Sequence, residues 1–263
     1  MISKRSKIFI TGHKGLVGSA VYRLLKKKGF KNIIIKTRKS LDLRNSNKVE
    51  NFFKNHKIDY LIMAAAKAGG ILANQNNPTE FINDNILIQG NLLMSAHKYK
   101  VKRTIFLGTS CIYPKMSKTP IKEEYLLSGK LEKTNQFYAI AKISGIKLAE
   151  ALFHQYKKDI LCLMPTNIYG PNDKYNPKDS HVIPGLIYKF HKAKKEKKNF
   201  VKLWGTGKPL REFLYSEDLA QAIYLILKTS KNKIKKIFKK EFPVINIGRS
   251  KNISIKNLAF LIK

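Results

Sequence analysis

The chain has 263 residues, 43% of them apolar, and carries 52 Lys and Arg against 17 Asp and Glu, a formal net charge of +35. That length and apolar content exclude disorder and low complexity, and they support one large α/β domain or such a domain with a smaller lobe. Only two cysteines, Cys111 and Cys162, are present. This excludes a disulfide scaffold and a four-cysteine zinc site, and it suits a reducing cytoplasm.

In chain order, short apolar runs alternate with amphipathic stretches, the βαβ rhythm of a parallel sheet. Lys7–Thr11 reads as a first strand, Leu16–Lys28 as a helix, Asn32–Lys36 as a second strand, Ser46–Asn55 as a helix and Ile58–Ala65 as a third strand. Pro78–Tyr99 has helical spacing of Phe81, Ile82, Ile86, Leu92 and Leu93, and Thr104–Leu107 is a fourth, buried strand. A helix over Asn135–Tyr156 precedes a fifth strand, Ile160–Met164. The texture then changes. Asn167–Ser180 carries Pro-, Asn- and Gly-bearing turn signals. Beyond it the pattern predicts a helix at Val182–Lys195, a strand at Val201–Trp204, and a helix at Glu217–Thr229 with Ser216 as N-cap. A strand at Val244–Ile247 and a helix starting near Ser254 follow. No stretch approaches the roughly 20 apolar residues that cross a bilayer, and the basic start lacks the long apolar run of a signal peptide. A soluble protein without a membrane partner is expected.

The charge raises the question of a nucleic-acid partner, because clustered cations neutralise phosphates. Its make-up argues against one: 45 of the basic residues are Lys and only 7 are Arg, whereas base readout favours Arg. The lysines also run along the whole chain, with dense stretches at Lys189–Lys202 and Lys228–Lys240. A solvated surface is the simpler reading.

Two constellations carry chemistry. Gly12-His13-Lys14-Gly15-Leu16-Val17-Gly18 lies where the first strand meets the first helix. Glycines there allow a tight turn and close approach of backbone N–H groups to a diphosphate at the helix N-terminus. The spacing is a GxxGxxG variant, and a plain turn is the alternative. After the second strand, where an acidic residue would bind ribose hydroxyls, the chain has Lys36-Thr37-Arg38-Lys39. Arg38 suits a 2′-phosphate and hence NADP, or is one more surface cation. Tyr138 and Lys142 stand four apart on one helix face, so the ammonium is expected to depress the phenol's pKa and make it a proton donor to a carbonyl. Thr109, at the end of the fourth strand, is placed to bind the same oxygen.

With these features the chain resembles the extended short-chain dehydrogenase/reductases, and within them the GDP-L-fucose synthase family. The segments that carry the resemblance are ITGHKGLVGSA, AAAKAGGI, LGTSCIYPK, YAIAKISGIKL, MPTNIYGPND, SHVIP and WGTGKPLREFL. It implies a Rossmann-type, doubly wound parallel sheet: an NADP-binding domain over residues 1–166, to which later segments may return, and a mainly substrate-binding lobe over 167–263. It further implies NADPH-dependent 3,5-epimerisation and 4-reduction of GDP-4-keto-6-deoxy-D-mannose. In that scheme Thr109, Tyr138 and Lys142 fill the family's Ser/Tyr/Lys roles, with Thr in place of Ser, and Cys111 and His181 serve as base and acid for epimerisation. A small buried Cys and a capping His are the plainer readings of these last two. Cys162 is read as core. Cofactor contacts implied are Gly12–Gly18, Leu107, Gly108, Thr109, Ser110, Lys142, the Pro165-Thr166-Asn167-Ile168 turn and His181. Substrate contacts implied are Lys189, where the family commonly has Arg, Trp204 and Arg211. Family members continue past the position of Lys263, so an incomplete substrate lobe is expected. A homodimer through the Tyr138–Lys142 helix and its preceding neighbour is expected too. Related nucleotide-sugar epimerases or dehydratases, and a catalytically weak nucleotide-binding protein, are the alternatives.

Overall fold

The computed structural model describes residues 2–176, 180–239 and 241–263. Part of the turn-rich stretch (177–179) and the end of the second lysine run (Lys240) lie outside the described residues. The chain runs β1 (Ile8–Thr11), α1 (Leu16–Lys27), β2 (Ile33–Ile35), α2 (Ser46–Asn55), β3 (Tyr60–Met63), α3 (Ile71–Asn76), α4 (Pro78–Lys98), β4 (Arg103–Leu107), α5 (Gln136–Tyr156) and β5 (Ile160–Pro165). It continues with β6 (Asn167–Tyr169), α6 (Val182–Lys195), β7 (Leu210–Tyr215), α7 (Ser216–Lys228), α8 (Lys231–Ile237), β8 (Val244–Ile247), β9 (Asn252–Ser254) and α9 (Ile255–Ile262).

Six strands form one parallel sheet in the order β2-β1-β3-β4-β5-β8. Its strands read as nearly continuous apolar runs because both faces are covered. Phe9, Phe106 and Cys162 point to the side holding Phe52 and Phe53 of α2, Leu92 and Leu93 of α4 and Ile146 of α5. Ile8, Ile10, Ile62, Leu161 and Leu163 point to the other, against Leu24 and Leu25 of α1 and Leu219, Ile223 and Leu227 of α7. Each such side chain contributes about 1.5–3 kcal/mol when fully buried. Cys162, 0% exposed, is a core residue.

β8 and α7 follow 167 in sequence yet complete this first layer: β8 pairs with β5, and α7 packs along α1. Arg23 of α1 pairs with Glu217 of α7 at 2.5 Å. Buried Arg103 donates to Asp159 (2.9 Å) and to the carbonyls of Ile226 and Thr229 (2.7 and 2.6 Å) at the end of α7. Those carbonyls would otherwise lack partners.

A second sheet, β6-β7-β9, pairs β6 and β7 parallel and β7 and β9 antiparallel. A small core of Leu186, Leu258 and Ala259 joins α6 to α9 beside it. The predicted strand at Val201–Trp204 does not form; the strand lies at Leu210–Tyr215, where β6 and β9 offer edges on both sides. Ser216 is the first residue of α7 rather than its N-cap, which is Tyr215. Its hydroxyl is buried without a partner among the described residues, against bare Gly170.

Candidate active site

Strand order reverses at β1: the chain goes to β2 on one side and then to β3 on the other. Such a switch point opens a crevice at the C-terminal ends of the strands. Thr11 ties the two ends together there, donating to the Ile62 carbonyl (3.3 Å) and accepting from Ala65 N (3.1 Å). Gly12 has φ +68°, and a side chain on it would come within 2.8 Å of the Ala64 carbonyl. Gly15 N donates to the Gly12 carbonyl (2.9 Å), and a methyl at Gly18 would overlap that same carbonyl. Only glycine lets α1 start so close to the strand. Gly15 caps α1 without a side-chain hydrogen bond, so the first N–H groups of the helix, over Leu16, Val17 and Gly18, stay open. Nδ1 of neighbouring His13 is buried and unpartnered among the described residues, and burial with the charge of Lys14 holds this ring's pKa down. This cradle of backbone donors, with bare Cα atoms where the chain must approach, fits the diphosphate of a dinucleotide.

Arg38 follows β2 on a turn closed by Thr37 and Ser40. It is exposed and stands 3.9 Å from Asp42. Asp42 is chiefly engaged by Arg44, whose hydrogen bonds pull its pKa down to about 2.

β4 delivers the next group. Gly108 N donates to the Leu163 carbonyl (2.9 Å), and a side chain there would strike the Met164 thioether. Thr109 Oγ1 accepts from Cys111 N (3.2 Å) and starts the single turn Ser110–Ile112. Lys142, 5% exposed, donates from Nζ to the Leu107 carbonyl (2.8 Å) and lies 5.1 Å from the Phe106 ring and 5.9 Å from that of Tyr138. Burial lowers its pKa to about 8. Tyr138 stacks edge-on against Phe81 of α4, 6.2 Å between centroids.

The predicted depression of the Tyr138 pKa does not occur. Burial raises it, and the nearby Cys111 adds to the rise. Lys142 is held at a carbonyl and itself resists charging, so it gives the phenol little help as an anion. A phenol kept protonated is nonetheless the form a proton donor needs. Burial likewise raises the Cys111 thiol, opposed by hydrogen bonds from Thr109 and Asn135 and by the charge of Arg211. Asn135 was not singled out from the sequence. Its Oδ1 is buried without a partner among the described residues, and its place as the N-cap residue of α5, one turn before Tyr138, was the available signal.

Pro165 ends β5 opposite Ile247, and Thr166 N donates to the Ile247 carbonyl (3.1 Å). Asn167 Nδ2 reaches the Glu212 carbonyl (2.9 Å), and Ile168 pairs with Leu214. This turn carries the chain from the first sheet into the second. Glu212, also not foreseen, accepts from the backbone N–H groups of Arg249 and Ser250 and pins the strand bearing Arg211. Arg211 is exposed and donates to the Leu210 carbonyl (2.8 Å). Lys189 lies over the exposed Trp204 ring at 4.7 Å and donates to the Lys202 carbonyl (3.3 Å). His181 is the N-cap residue of α6; part of the residue is open to solvent while the imidazole is largely enclosed by protein, which lowers its pKa. The structure thus gathers Thr109, Cys111, Asn135, Tyr138, Lys142 and Arg211 into one neighbourhood. Lys189 with Trp204, His181 with Asp173, and Arg38 stand as separate groups.

The NAD dependent epimerase/dehydratase family matches residues 8–248. The chain belongs to this family. It is 47% identical over 263 residues to GDP-L-fucose synthase 1 of Arabidopsis thaliana, covering 100% of this chain and 79% of that protein. It is 43% identical over 255 residues to GDP-L-fucose synthase of Escherichia coli K12, covering 97% and 79%. Among solved structures, a GDP-L-fucose synthetase from Naegleria fowleri bound to NADP superposes with a TM-score of 0.88 at 31% identity, covering 100% of this chain and 78% of that one.

Proposed function

We propose that this protein catalyses NADPH-dependent 3,5-epimerisation and 4-reduction of GDP-4-keto-6-deoxy-D-mannose to GDP-L-fucose. The observation that carries the reading is the clustering of a protonated phenol, a half-buried thiol and a buried lysine at the C-terminal end of β4 and the first turns of α5. Identity of 43–47% to GDP-L-fucose synthases over nearly the whole chain supports it.

NADP(H) fits the backbone cradle of Gly12, Gly15 and Gly18. Arg38 would face its 2′-phosphate, and Lys142 its ribose. When bound, the cofactor supplies the hydride for C4. Cys111 removes a proton beside the ketone and His181 returns one from the opposite face. Thr109 and Tyr138 hold the carbonyl oxygen, and Tyr138 gives it a proton as reduction proceeds. Arg211 clamps the diphosphate of the GDP-sugar, and Trp204 with Lys189 covers sugar or base. Residues 1–166 with β8 and α7 serve the cofactor, and the β6-β7-β9 sheet with α6 and α9 serves the sugar. The working thiol suits a reducing cytoplasm. Purified protein given NADPH and the keto sugar should lose absorbance at 340 nm as GDP-L-fucose accumulates; product without NADPH consumption, or no turnover at high enzyme concentration, would overturn the assignment.

A homodimer through α4 and α5 is part of this reading. Ile86, Leu87 and Met94 of α4 and Phe137 and Ile140 of α5 are each 38–49% exposed. Ile86, Gly90 and Met94 share a face, and Gly90 has open space before it. An apolar surface on two packed helices is of the kind a second copy covers. Met94→Glu is expected to halve the mass measured by sedimentation. A monomeric unmodified protein would remove the dimer from the proposal.

A further inference from the structure

We propose that Tyr113 is a positioning residue for Cys111, its hydroxyl anchoring the turn that carries the thiol to Asn246 on the edge strand of the parallel sheet. The proposal rests on the function assigned above to Cys111.

β8 departs from its apolar pattern at Asn246. Val244 packs on the core that holds α4 and α5, and Ile245 and Ile247 pack on the core that holds α1 and α7. Alternation puts Asn246 on the Val244 face, where another apolar side chain would extend that core. Its polar groups are all engaged instead. Asn246 Nδ2 donates to the Ile121 carbonyl (3.0 Å), and its backbone N donates to Glu123 Oε1 (2.9 Å). A carbonyl can only accept, so the amide nitrogen must face Ile121. The amide oxygen then receives the Tyr113 hydroxyl, which donates at 2.6 Å.

β5 lies between β4 and β8, so this bond reaches across a strand. Tyr113 follows directly on the turn Ser110–Ile112. The turn's own backbone bonds are long: Ile112 N to the Thr109 carbonyl at 3.4 Å and Tyr113 N to the Ser110 carbonyl at 3.3 Å. Side chains hold it at both ends. Thr109 Oγ1 accepts from Cys111 N (3.2 Å) at the start, and at the finish the Tyr113 ring is 4% exposed with its oxygen tied to β8. Ile112 is wholly buried between them, while Cys111 is half-buried. Just beyond β8, the N–H groups of Arg249 and Ser250 hold Glu212, the neighbour of Arg211. One segment of chain therefore sets both the thiol and the guanidinium that the sugar nucleotide would span. A base must be aligned with the carbon-bound proton it removes, and a displacement of about 1 Å costs on the order of 100-fold.

The test follows alkylation of the two cysteines by iodoacetamide in protein without sugar, read by mass spectrometry of their peptides. Tyr113→Phe keeps the ring and removes only the bond to Asn246. Cys111 should then react several-fold faster as its turn is released, while Cys162, 0% exposed in the core, stays unreactive and shows that the fold is intact. With the keto sugar, kcat for C3/C5 exchange should fall about ten-fold or more, with KM and NADPH affinity unchanged. Asn246→Ala should release Cys111 as well, which keeps the idea testable if Tyr113→Phe does not fold, and adding Tyr113→Phe to it should change nothing further. A Cys111 rate unchanged or slower in Tyr113→Phe, Cys162 reacting alongside it, or effects of the two substitutions that multiply would overturn the proposal. Alkylation is read without sugar, so a released thiol in a protein that fails on the keto sugar even when unmodified would sink the assigned function and leave the anchor standing.

Discussion

Tyr138→Phe is expected to slow reduction by about 100- to 10,000-fold, the range lost when a positioned proton donor is removed. The substitution deletes one oxygen. The ring that packs on Phe81 remains, as does the Lys142 bond to the Leu107 carbonyl, so NADPH binding and folding should be unchanged. The pair proposed for proton exchange, Cys111 and His181, is untouched, and deuterium should still enter C3 and C5 from heavy water. Single-turnover absorbance, a fluorescence titration with NADPH and mass spectrometry of the sugar separate these effects. Reduction at the unmodified rate would show that another group protonates the oxygen.

Cys111→Ser divides the reaction the other way. A hydroxyl keeps the size and hydrogen bonding of the thiol at Thr109 and Asn135, but it is a far weaker acid and loses its proton less readily in a buried site. Deuterium incorporation at C3 and C5 should fall by about 100-fold or more, while NADPH binds as before. The pH dependence of the unmodified protein follows the same logic. Burial raises the thiol, so the base form grows as pH rises; burial lowers His181, so its acid form is lost over the same change. Exchange should therefore pass through a maximum, and Cys111→Ser should lose the thiol limb. Exchange unaffected by the substitution would remove Cys111 from the mechanism.

The parallel sheet could be read from the chain because its strands are apolar on both faces and alternate with amphipathic helices. The glycine turn and the Tyr138–Lys142 pair could be read because their spacing is local. What escaped depends on partners distant in sequence. β6, β7 and β9 are short and half-exposed, and they exist by pairing with one another across some 85 residues. Val201–Trp204 has comparable apolar content and no edge to join. Asn135 carries no motif, and Glu212, though inside the WGTGKPLREFL segment, was given no role there; their importance lies in an oxygen without a partner among the described residues and in two backbone donors. The pKa of Tyr138 was misjudged for a related reason: adjacency on a helix is local, whereas burial is set by the whole fold.

The return of Val244–Ile247 to the edge of β5 has a consequence for how the molecule is made. On the ribosome, β5 emerges with its outer row of N–H and C=O groups unpaired, and it stays so until some eighty further residues have been added. Its side chains are buried on both faces in the finished protein, which makes the waiting edge a template for pairing with a second nascent chain. The parallel sheet therefore cannot close ahead of the segments threaded between its last two strands. The two halves must mature together, and crowding or slow synthesis over residues 166–243 exposes the protein most.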